Sequence, residues 1–138
     1  MDKEVEDYQE VKTGVSVDAK SILVVEDDQS ISRLLRHNLQ DAITRVTEAA
    51  TGLDCIRAVN AAKIDIVILD LGLPDSNGWG ILSLLRFTPS LWDMPVIMVS
   101  VEPPNVDLIN NLRPNDYIKK PFDTRDLVAR VRRVMNCA

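Results

Sequence analysis

The sequence predicts an α/β fold, a three-layer sandwich in which a five-stranded parallel sheet is covered by helices on both faces. Short runs rich in β-branched residues occur at 21–25, 43–47, 65–69, 95–100 and 116–119. Segments with apolar residues at helical spacing separate these runs. Such alternation is typical of βαβ units, and five strands that are each followed by a helix predict a doubly wound (βα)5 topology. A chain of 138 residues fits a single domain of this kind.

The runs at 65–69 and 95–100 are apolar apart from Asp65 and Ser100 at their ends. Central strands of a parallel sheet are buried on both faces and have this composition, whereas edge strands alternate more. We therefore place these two runs in the middle of the sheet.

Four helices are predicted from apolar residues three or four positions apart. Their apolar faces are marked by Ile31, Leu34, Leu35 and Leu39, by Leu53, Ile56 and Val59, by Ile81, Leu82 and Leu85, and by Leu127, Val131, Val134 and Met135. Asp28 or Ser30 can cap the first helix, and Asp123 or Thr124 the last. The third helix covers 78–88, because the next proline ends it.

The helix before the last strand, 103–112, has the weakest pattern. It opens with Pro103 and Pro104, which suit only the first turn of a helix, and Pro114 stops it. We expect this helix to be short or displaced.

Charge is distributed unevenly along the chain. The whole chain carries a net charge of −5, and residues 1–20 hold six acids and three lysines, a net charge of −3. This acidic segment lacks a steady apolar period, so we predict a flexible tail at 1–20 and one domain at 21–138. The acidic balance argues against direct nucleic-acid binding, which needs a basic face.

The two cysteines, Cys55 and Cys137, form neither a metal-ligand cluster nor a disulfide framework. No apolar run approaches the roughly 20 residues that span a bilayer, and the N-terminus lacks the order of a signal peptide. We expect a protein of the cytoplasm without a membrane partner.

Polar side chains follow the predicted strands at the points where they end. They are Glu26, Asp27, Asp70, Ser100 and Lys120. Because the carboxyl ends of parallel strands share one edge of the sheet, this topology brings them together. Carboxylates that meet in this way repel one another, so the sequence predicts that the cluster holds a cation.

Four segments carry a family resemblance. They are ILVVEDD at 22–28, LDLGLPDSNG at 69–78, MPVIMVS at 94–100 and DYIKKPF at 116–122. In this order and at this spacing they make residues 21–136 resemble the receiver domain of two-component response regulators. The resemblance implies a flavodoxin-like fold and a role in His-Asp phosphorelay signalling.

By this resemblance Asp70 is the phosphoacceptor of a Mg²⁺-dependent reaction. Asp27 and Asp70 would bind the metal ion directly, Glu26 would bind it through water, and the backbone carbonyl of Gly72 would add a ligand. Mg²⁺ is a hard cation that prefers oxygen ligands and keeps several waters, which suits this set.

The resemblance also assigns roles in phosphotransfer and switching. Lys120 would contact the phosphoryl oxygens, and the Ser100 hydroxyl would bond the phosphate. Tyr117 would act as a rotamer switch with Ser100. The phosphodonor would be a histidine kinase or a histidine phosphotransfer protein, and a downstream protein would bind the 95–122 surface. The domain would catalyse its own phosphorylation without being a turnover enzyme.

Three other functions compete with this one. A degenerate receiver would bind proteins without phosphotransfer, and Val101, larger than the family's usual residue, leaves room for it. A phosphohydrolase with an aspartyl nucleophile needs an acid two residues later, where this chain has Gly72. A flavodoxin-like cofactor carrier needs an anion-binding loop, which the acids at 26–28 would repel.

The remaining candidates are interpreted as structural. His37 lies on the polar side of its helix, so we place it at the surface. Trp79 and Trp92 flank helix 78–88 and serve packing, and the arginines of helix 123–136 form a solvated face. The Lys120-Pro121 bond is cis in many members of the family. The sequence leaves open whether the chain stands alone or is a receiver cut from a longer protein with an output domain.

Overall fold

The computed structural model describes residues 19–136, so most of the predicted tail lies outside the described residues. The strands are β1 (Lys20–Val25), β2 (Thr44–Ala49), β3 (Ile66–Asp70), β4 (Val96–Ser100) and β5 (Asp116–Lys119). The helices are α1 (Gln29–Leu39), α2 (Gly52–Ala61), α3 (Gly78–Arg86), α4 (Val106–Leu112) and α5 (Thr124–Asn136). All five predicted strands form, although β2 runs two residues further than predicted.

The strands form one parallel sheet in the order β2-β1-β3-β4-β5. The predicted doubly wound α/β fold is therefore confirmed. Strands β3 and β4 are buried along their whole length, as their composition predicts. In register, Val25 pairs with Leu69 and Leu69 with Met98, so the three central strands end at nearly the same level.

The core consists of two apolar layers, one on each face of the sheet. Leu23 and Leu69 point to the side covered by α2 and α3, where Leu82 meets them. Their neighbours Ile22 and Ile68 point to the side covered by α1 and α5. Successive strand residues alternate between the two layers, since a strand has a period of two.

Helix α1 buries most of the predicted apolar face: Leu35 and Leu39 are buried and Ile31 packs against the same layer, so only Leu34 departs from the prediction. Leu34 is 44% exposed, whereas Ser32 is buried. The Ser32 hydroxyl donates to Glu48 of β2 at 2.6 Å, and Arg36 donates to the same carboxylate at 2.9 Å. A polar residue can take the buried position because its hydrogen bond is satisfied there. In α2, Leu53 is likewise exposed.

Helix α4 begins later than predicted. Asn105 caps it by accepting from the amide of Leu108, so Pro103 and Pro104 lie in the preceding loop. At the other end, Arg113 adopts a left-handed conformation with φ of 51°. The expectation of a short helix is confirmed, while its predicted start was wrong.

Helix α3 ends at Arg86, two residues before the predicted end. The Arg86 guanidinium donates to the carbonyls of Met94 at 2.7 Å and Leu112 at 2.8 Å. It also donates to the carbonyls of Arg113 at 3.1 Å and Trp92 at 3.2 Å. This one side chain therefore joins the end of α3 to the end of α4 and to the start of β4.

Within residues 19–136, none of the helices is long and apolar enough to span a bilayer. The Lys120-Pro121 peptide bond, which follows β5, is cis.

Candidate functional site

Three carboxylates meet at the carboxyl edge of the sheet. Glu26 and Asp27 follow β1, and Asp70 ends the neighbouring strand β3. One oxygen of each lies within 4.8 Å of the others. The side chains of Glu26 and Asp70 are only 4% and 10% exposed, so water screens their repulsion poorly.

Lys120 supplies a positive charge to this cluster from the loop after β5. Its ammonium group donates to Glu26 at 2.7 Å and to Asp70 at 3.3 Å. Burial lowers the pKa of Lys120, but the hydrogen bond to Glu26 and the two carboxylate charges outweigh it and raise the pKa above its usual value. Lys120 is therefore charged at neutral pH.

One lysine does not balance three acids. Burial raises the pKa of Glu26 to about 7, and its hydrogen bond with Asp70 adds to the rise, while Lys120 opposes it. Beside burial, the hydrogen bond and the negative charge of Asp70 thus oppose ionisation of Glu26, so the cluster carries an excess of negative charge. A divalent cation would relieve this excess, and the oxygen donors present are those that Mg²⁺ prefers.

The loop between β3 and α3 shapes the wall beside Asp70. The amide of Gly72 donates to Asp70 at 3.2 Å, and the amide of Gly78 donates to the Leu71 carbonyl at 2.9 Å. A Cβ atom on Gly78 would lie 2.7 Å from the Asp70 carbonyl oxygen. Only glycine allows the start of α3 to approach the strand end so closely. Asn77 caps α3 through the Trp79 amide.

The same loop also holds helix α2. The Asp75 carboxylate accepts from the amides of Gly52 at 2.8 Å and Leu53 at 3.2 Å. These amides belong to the first turn of α2, where backbone donors lack partners within the helix. Asp75 therefore fixes the loop to a neighbouring helix.

Ser100 ends β4 on the other side of Asp70 and is buried. Its hydroxyl oxygen accepts from the Glu102 amide at 2.9 Å. The carbonyl of Glu102 in turn accepts from the Tyr117 hydroxyl at 2.8 Å. The Tyr117 ring stacks on Trp79 with the ring centroids 6.1 Å apart.

A cavity of about 470 Å³ opens above these groups. Its lining residues are Glu26, Asp27, Asp28, Ile31, Asp70, Leu71, Gly72, Asn77, Ser100, Val101, Glu102 and Lys120. A larger cavity, about 670 Å³, lies between β2 and the end of α2 and lacks the clustered acids. The chemistry is therefore concentrated at the smaller cavity.

The structure brings together Glu26, Asp27, Asp70, Ser100 and Lys120, the residues that the strand ends predicted. Gly72 lines the same cavity. Tyr117 lies outside the cavity lining and reaches Ser100 through Glu102.

Sequence reasoning missed several contributors to the site. Asn77 and Gly78 build its wall, and the Glu102 backbone links Ser100 to Tyr117. The Asn-Gly pair before a helix was an available signal, since asparagine is a good cap. Nothing in the sequence pattern indicates the role of the Glu102 peptide group.

Other candidates occupy structural positions. Asp28 caps α1 by accepting from the amides of Ser30 and Ile31, and His37 is exposed. On α5, Arg130 pairs with Asp116 at 3.2 Å. Arg132 and Arg133 of α5 also pair with carboxylates. These pairs neutralise much of the basic face of α5.

Comparison with known proteins identifies relatives of the chain. A family model described as the response regulator receiver domain matches residues 22–132. The transcriptional regulatory protein GltR of Pseudomonas aeruginosa is 33% identical over 126 residues, which are 90% of this chain and 52% of GltR. The chain thus spans about half the length of that relative.

Solved structures show the same likeness. The chemotaxis response regulator CheY4 of Vibrio cholerae matches with a TM-score of 0.77 and 25% identity, over 84% of this chain and 98% of CheY4. A BeF3-activated receiver domain of DrrB, from Thermotoga maritima, matches with a TM-score of 0.73 and 28% identity, over 85% of this chain and 97% of that domain.

Proposed function

Because the chain belongs to the response regulator receiver domain family, we propose that it is a phosphorylated signalling switch and that Asp70 is its phosphoacceptor. The observation that supports this proposal best is the convergence of Glu26, Asp27 and Asp70 within 4.8 Å, next to the Lys120 ammonium group. A lone acid at a strand end would need neither the other acids nor a half-buried lysine.

We propose Mg²⁺ as the cation of the site. Asp27 and Asp70 would hold it directly, Glu26 through water, and Gly72 through its backbone carbonyl. When bound, the ion neutralises the negative charge that opposes the approach of a phosphoryl group to a carboxylate. Asp27 is the exposed member of the three acids, so the site is open to a cation from solvent.

In the proposed reaction a carboxylate oxygen of Asp70 attacks the phosphorus atom of a phosphohistidine on the partner. A new oxygen–phosphorus bond forms, the nitrogen–phosphorus bond breaks, and its electron pair returns to the imidazole nitrogen. Lys120 stabilises the charge on the phosphoryl oxygens. The Ser100 hydroxyl accepts from the Glu102 amide, so it keeps its own proton to donate to a phosphoryl oxygen.

The partners follow from this chemistry. A histidine kinase or a histidine phosphotransfer protein would supply the phosphoryl group, within the cytoplasm. Phosphorylation adds about −1.5 to −2 charge, and the 95–122 surface, with Ser100 and Tyr117 as its switch residues, would change its packing in response. A downstream protein that binds this surface would bind the phosphorylated and unphosphorylated forms with different affinities.

The test is Asp70→Asn, incubated with a phosphodonor and Mg²⁺. We expect phosphate incorporation by the wild type and at least a tenfold loss in the variant, because an amide is a poor nucleophile. The matched control is Asp28→Asn, which makes the same chemical change in the same cavity. Asparagine caps helices as well as aspartate does, so the control should keep its activity.

Equal phosphate incorporation by Asp70→Asn and the wild type would contradict the assignment. If the wild type itself incorporates no phosphate and binds no beryllofluoride, the degenerate receiver becomes the better explanation, since the branched side chain of Val101 is among the residues that line the cavity.

A further inference from the structure

The ring of Tyr117 is held from two directions. Its hydroxyl donates to the Glu102 carbonyl at 2.8 Å, and its ring stacks on Trp79 at an interplanar angle of 20°. Both rings are partly buried and pack against the layer that contains Leu82. Trp79 therefore contacts the ring of Tyr117 in the rotamer whose hydroxyl bonds the Glu102 carbonyl.

Trp79 has a fixed position relative to the phosphoacceptor. It is the second residue of α3, and its amide donates to Asn77 at 2.8 Å. The residue before it, Gly78, lies against the backbone of Asp70 and Leu71. The indole ring is thus anchored to the end of the strand that carries Asp70.

A continuous chain of contacts leads from the indole ring to Ser100. Trp79 stacks on Tyr117, Tyr117 bonds the Glu102 carbonyl, and the Glu102 amide bonds the Ser100 hydroxyl oxygen. The amide and the carbonyl of Glu102 belong to the same residue, so the two hydrogen bonds are linked through its backbone. The position of Glu102 is therefore coupled both to the tyrosine rotamer and to the hydroxyl of Ser100, a residue that lines the cavity.

We propose that Trp79 is a positioning residue that holds Tyr117 in the rotamer bonded to Glu102 and thereby stabilises the arrangement in which Ser100 can receive a phosphoryl group. The proposal rests on the proposed function of Asp70. It adds a residue of α3 to the switch, which the sequence assigned to packing alone.

The size of the effect follows from the energy of aromatic stacking. Such a pair is worth about 0.5–1.5 kcal/mol beyond its burial, which corresponds to roughly a two- to tenfold change in a rotamer equilibrium. Because binding and rotamer are linked, the affinity for a phosphoryl mimic should fall by up to the same factor when the stack is lost.

The experiment labels the protein with 3-fluorotyrosine and follows Tyr117 by fluorine NMR. The chain has two tyrosines, and Tyr8→Phe assigns the two signals. Trp79→Leu removes the ring, and Trp79→Phe keeps a smaller aromatic ring. Trp92→Leu is the matched control, because Trp92 is 55% exposed and takes no part in the stack.

Without metal or phosphodonor, we expect Trp79→Leu to shift the Tyr117 signal toward a second environment by a two- to tenfold change in population. Trp79→Phe should restore most of the wild-type signal, and Trp92→Leu should leave it unchanged. With Mg²⁺ and beryllofluoride, Trp79→Leu should need a two- to tenfold higher beryllofluoride concentration for half-maximal change. If Trp79→Leu fails to fold, Trp79→Met replaces it.

A Tyr117 signal in Trp79→Leu that matches the wild type would overturn the proposal. So would equal shifts in Trp79→Leu and Trp92→Leu, because these would show a general loss of packing. The ligand-free measurement does not depend on phosphorylation. If beryllofluoride fails to bind even the wild type, the proposed function fails separately from this inference.

Discussion

At the scale of single residues, Gly78 is under the tightest steric constraint beside the candidate site. A Cβ atom there would lie 2.7 Å from both the Asp70 carbonyl oxygen and the Leu71 Cα atom. Both are backbone atoms that cannot rotate away. In contrast, a Cβ atom on Gly80, two positions further along the same helix, would meet nothing within 4 Å.

We predict that Gly78→Ala lowers the free energy of unfolding by about 1–3 kcal/mol, because α3 must move away from the strand end. The shift should also displace Asp70 and reduce phosphate incorporation. Gly80→Ala, in the first turn of α3, is the control and should stabilise the protein by up to about 0.5–1 kcal/mol, since alanine has a higher helix propensity than glycine. Urea unfolding of both variants measures this, and equal stability changes would contradict the steric argument.

The residues of the site were largely predictable, because the rule that placed them concerns strand ends. Asp70 and Ser100 end apolar runs, and Lys120 follows the last run. The sequence did not reveal the roles of Gly78 and Trp79, because these roles depend on the atoms that the two residues contact in the folded chain. Periodicity along the chain carries no information of that kind.

At the scale of elements, α1 is joined to β2 by hydrogen bonds from Ser32 and Arg36 to the Glu48 carboxylate. The hydrogen bond from the Ser32 hydroxyl, followed by that from Arg36, lowers the pKa of Glu48. The folded state therefore prefers the ionised carboxylate more strongly than the unfolded chain does. This contribution to stability is present above the unfolded pKa of about 4.5 and is lost as the pH falls through the lower folded value.

We expect the wild type to lose about 1 kcal/mol more stability than Glu48→Gln when the pH is lowered from 6 to 3. Thermal unfolding at several pH values measures the difference. Glu102→Gln is a suitable control, because no side-chain hydrogen bond from Glu102 occurs within residues 19–136. If Glu48→Gln and the wild type show the same pH dependence of stability, the ionised Glu48 carboxylate does not stabilise the contact between α1 and β2.

The existence and order of the elements followed from the alternation of strand and helix patterns. The buried face and the end residues of each helix were predicted less accurately, because tertiary contacts determine them. Ser32 is buried in place of Leu34 since Glu48 satisfies its hydroxyl. Helix α4 starts after its two prolines since Asn105 provides a cap.

At the scale of the whole molecule, the carboxyl edge of the sheet concentrates negative charge in the folded state only. The unfolded chain separates Glu26 from Asp70 by more than forty residues. A cation that binds this edge therefore binds the folded state and raises the free energy of unfolding by linkage.

We predict that Mg²⁺ raises the unfolding midpoint of the wild type by several degrees, because a ligand at 100 times its dissociation constant adds about 2.7 kcal/mol. Asp27→Asn should lose most of this response, since it removes one proposed ligand. Asp28→Asn, which only alters a helix cap, should keep it. Scanning calorimetry with Mg²⁺ or with a chelator compares them, and an equal response in both variants would argue against a metal at Asp27.

The hydrogen bonds between Asp75 and the first turn of α2 have a consequence for protein engineering. The segment from Leu71 to Asn77 connects the end of β3 to the start of α3, and Asp75 within it bonds the first turn of α2. Adding or deleting a residue in this segment would therefore break the Asp75 hydrogen bonds or displace the start of α3. Sequence length should vary freely elsewhere, for example in the turn around Lys63. A reporter peptide grafted at that turn would leave the carboxyl edge of the sheet intact, whereas the same graft after Leu71 would not.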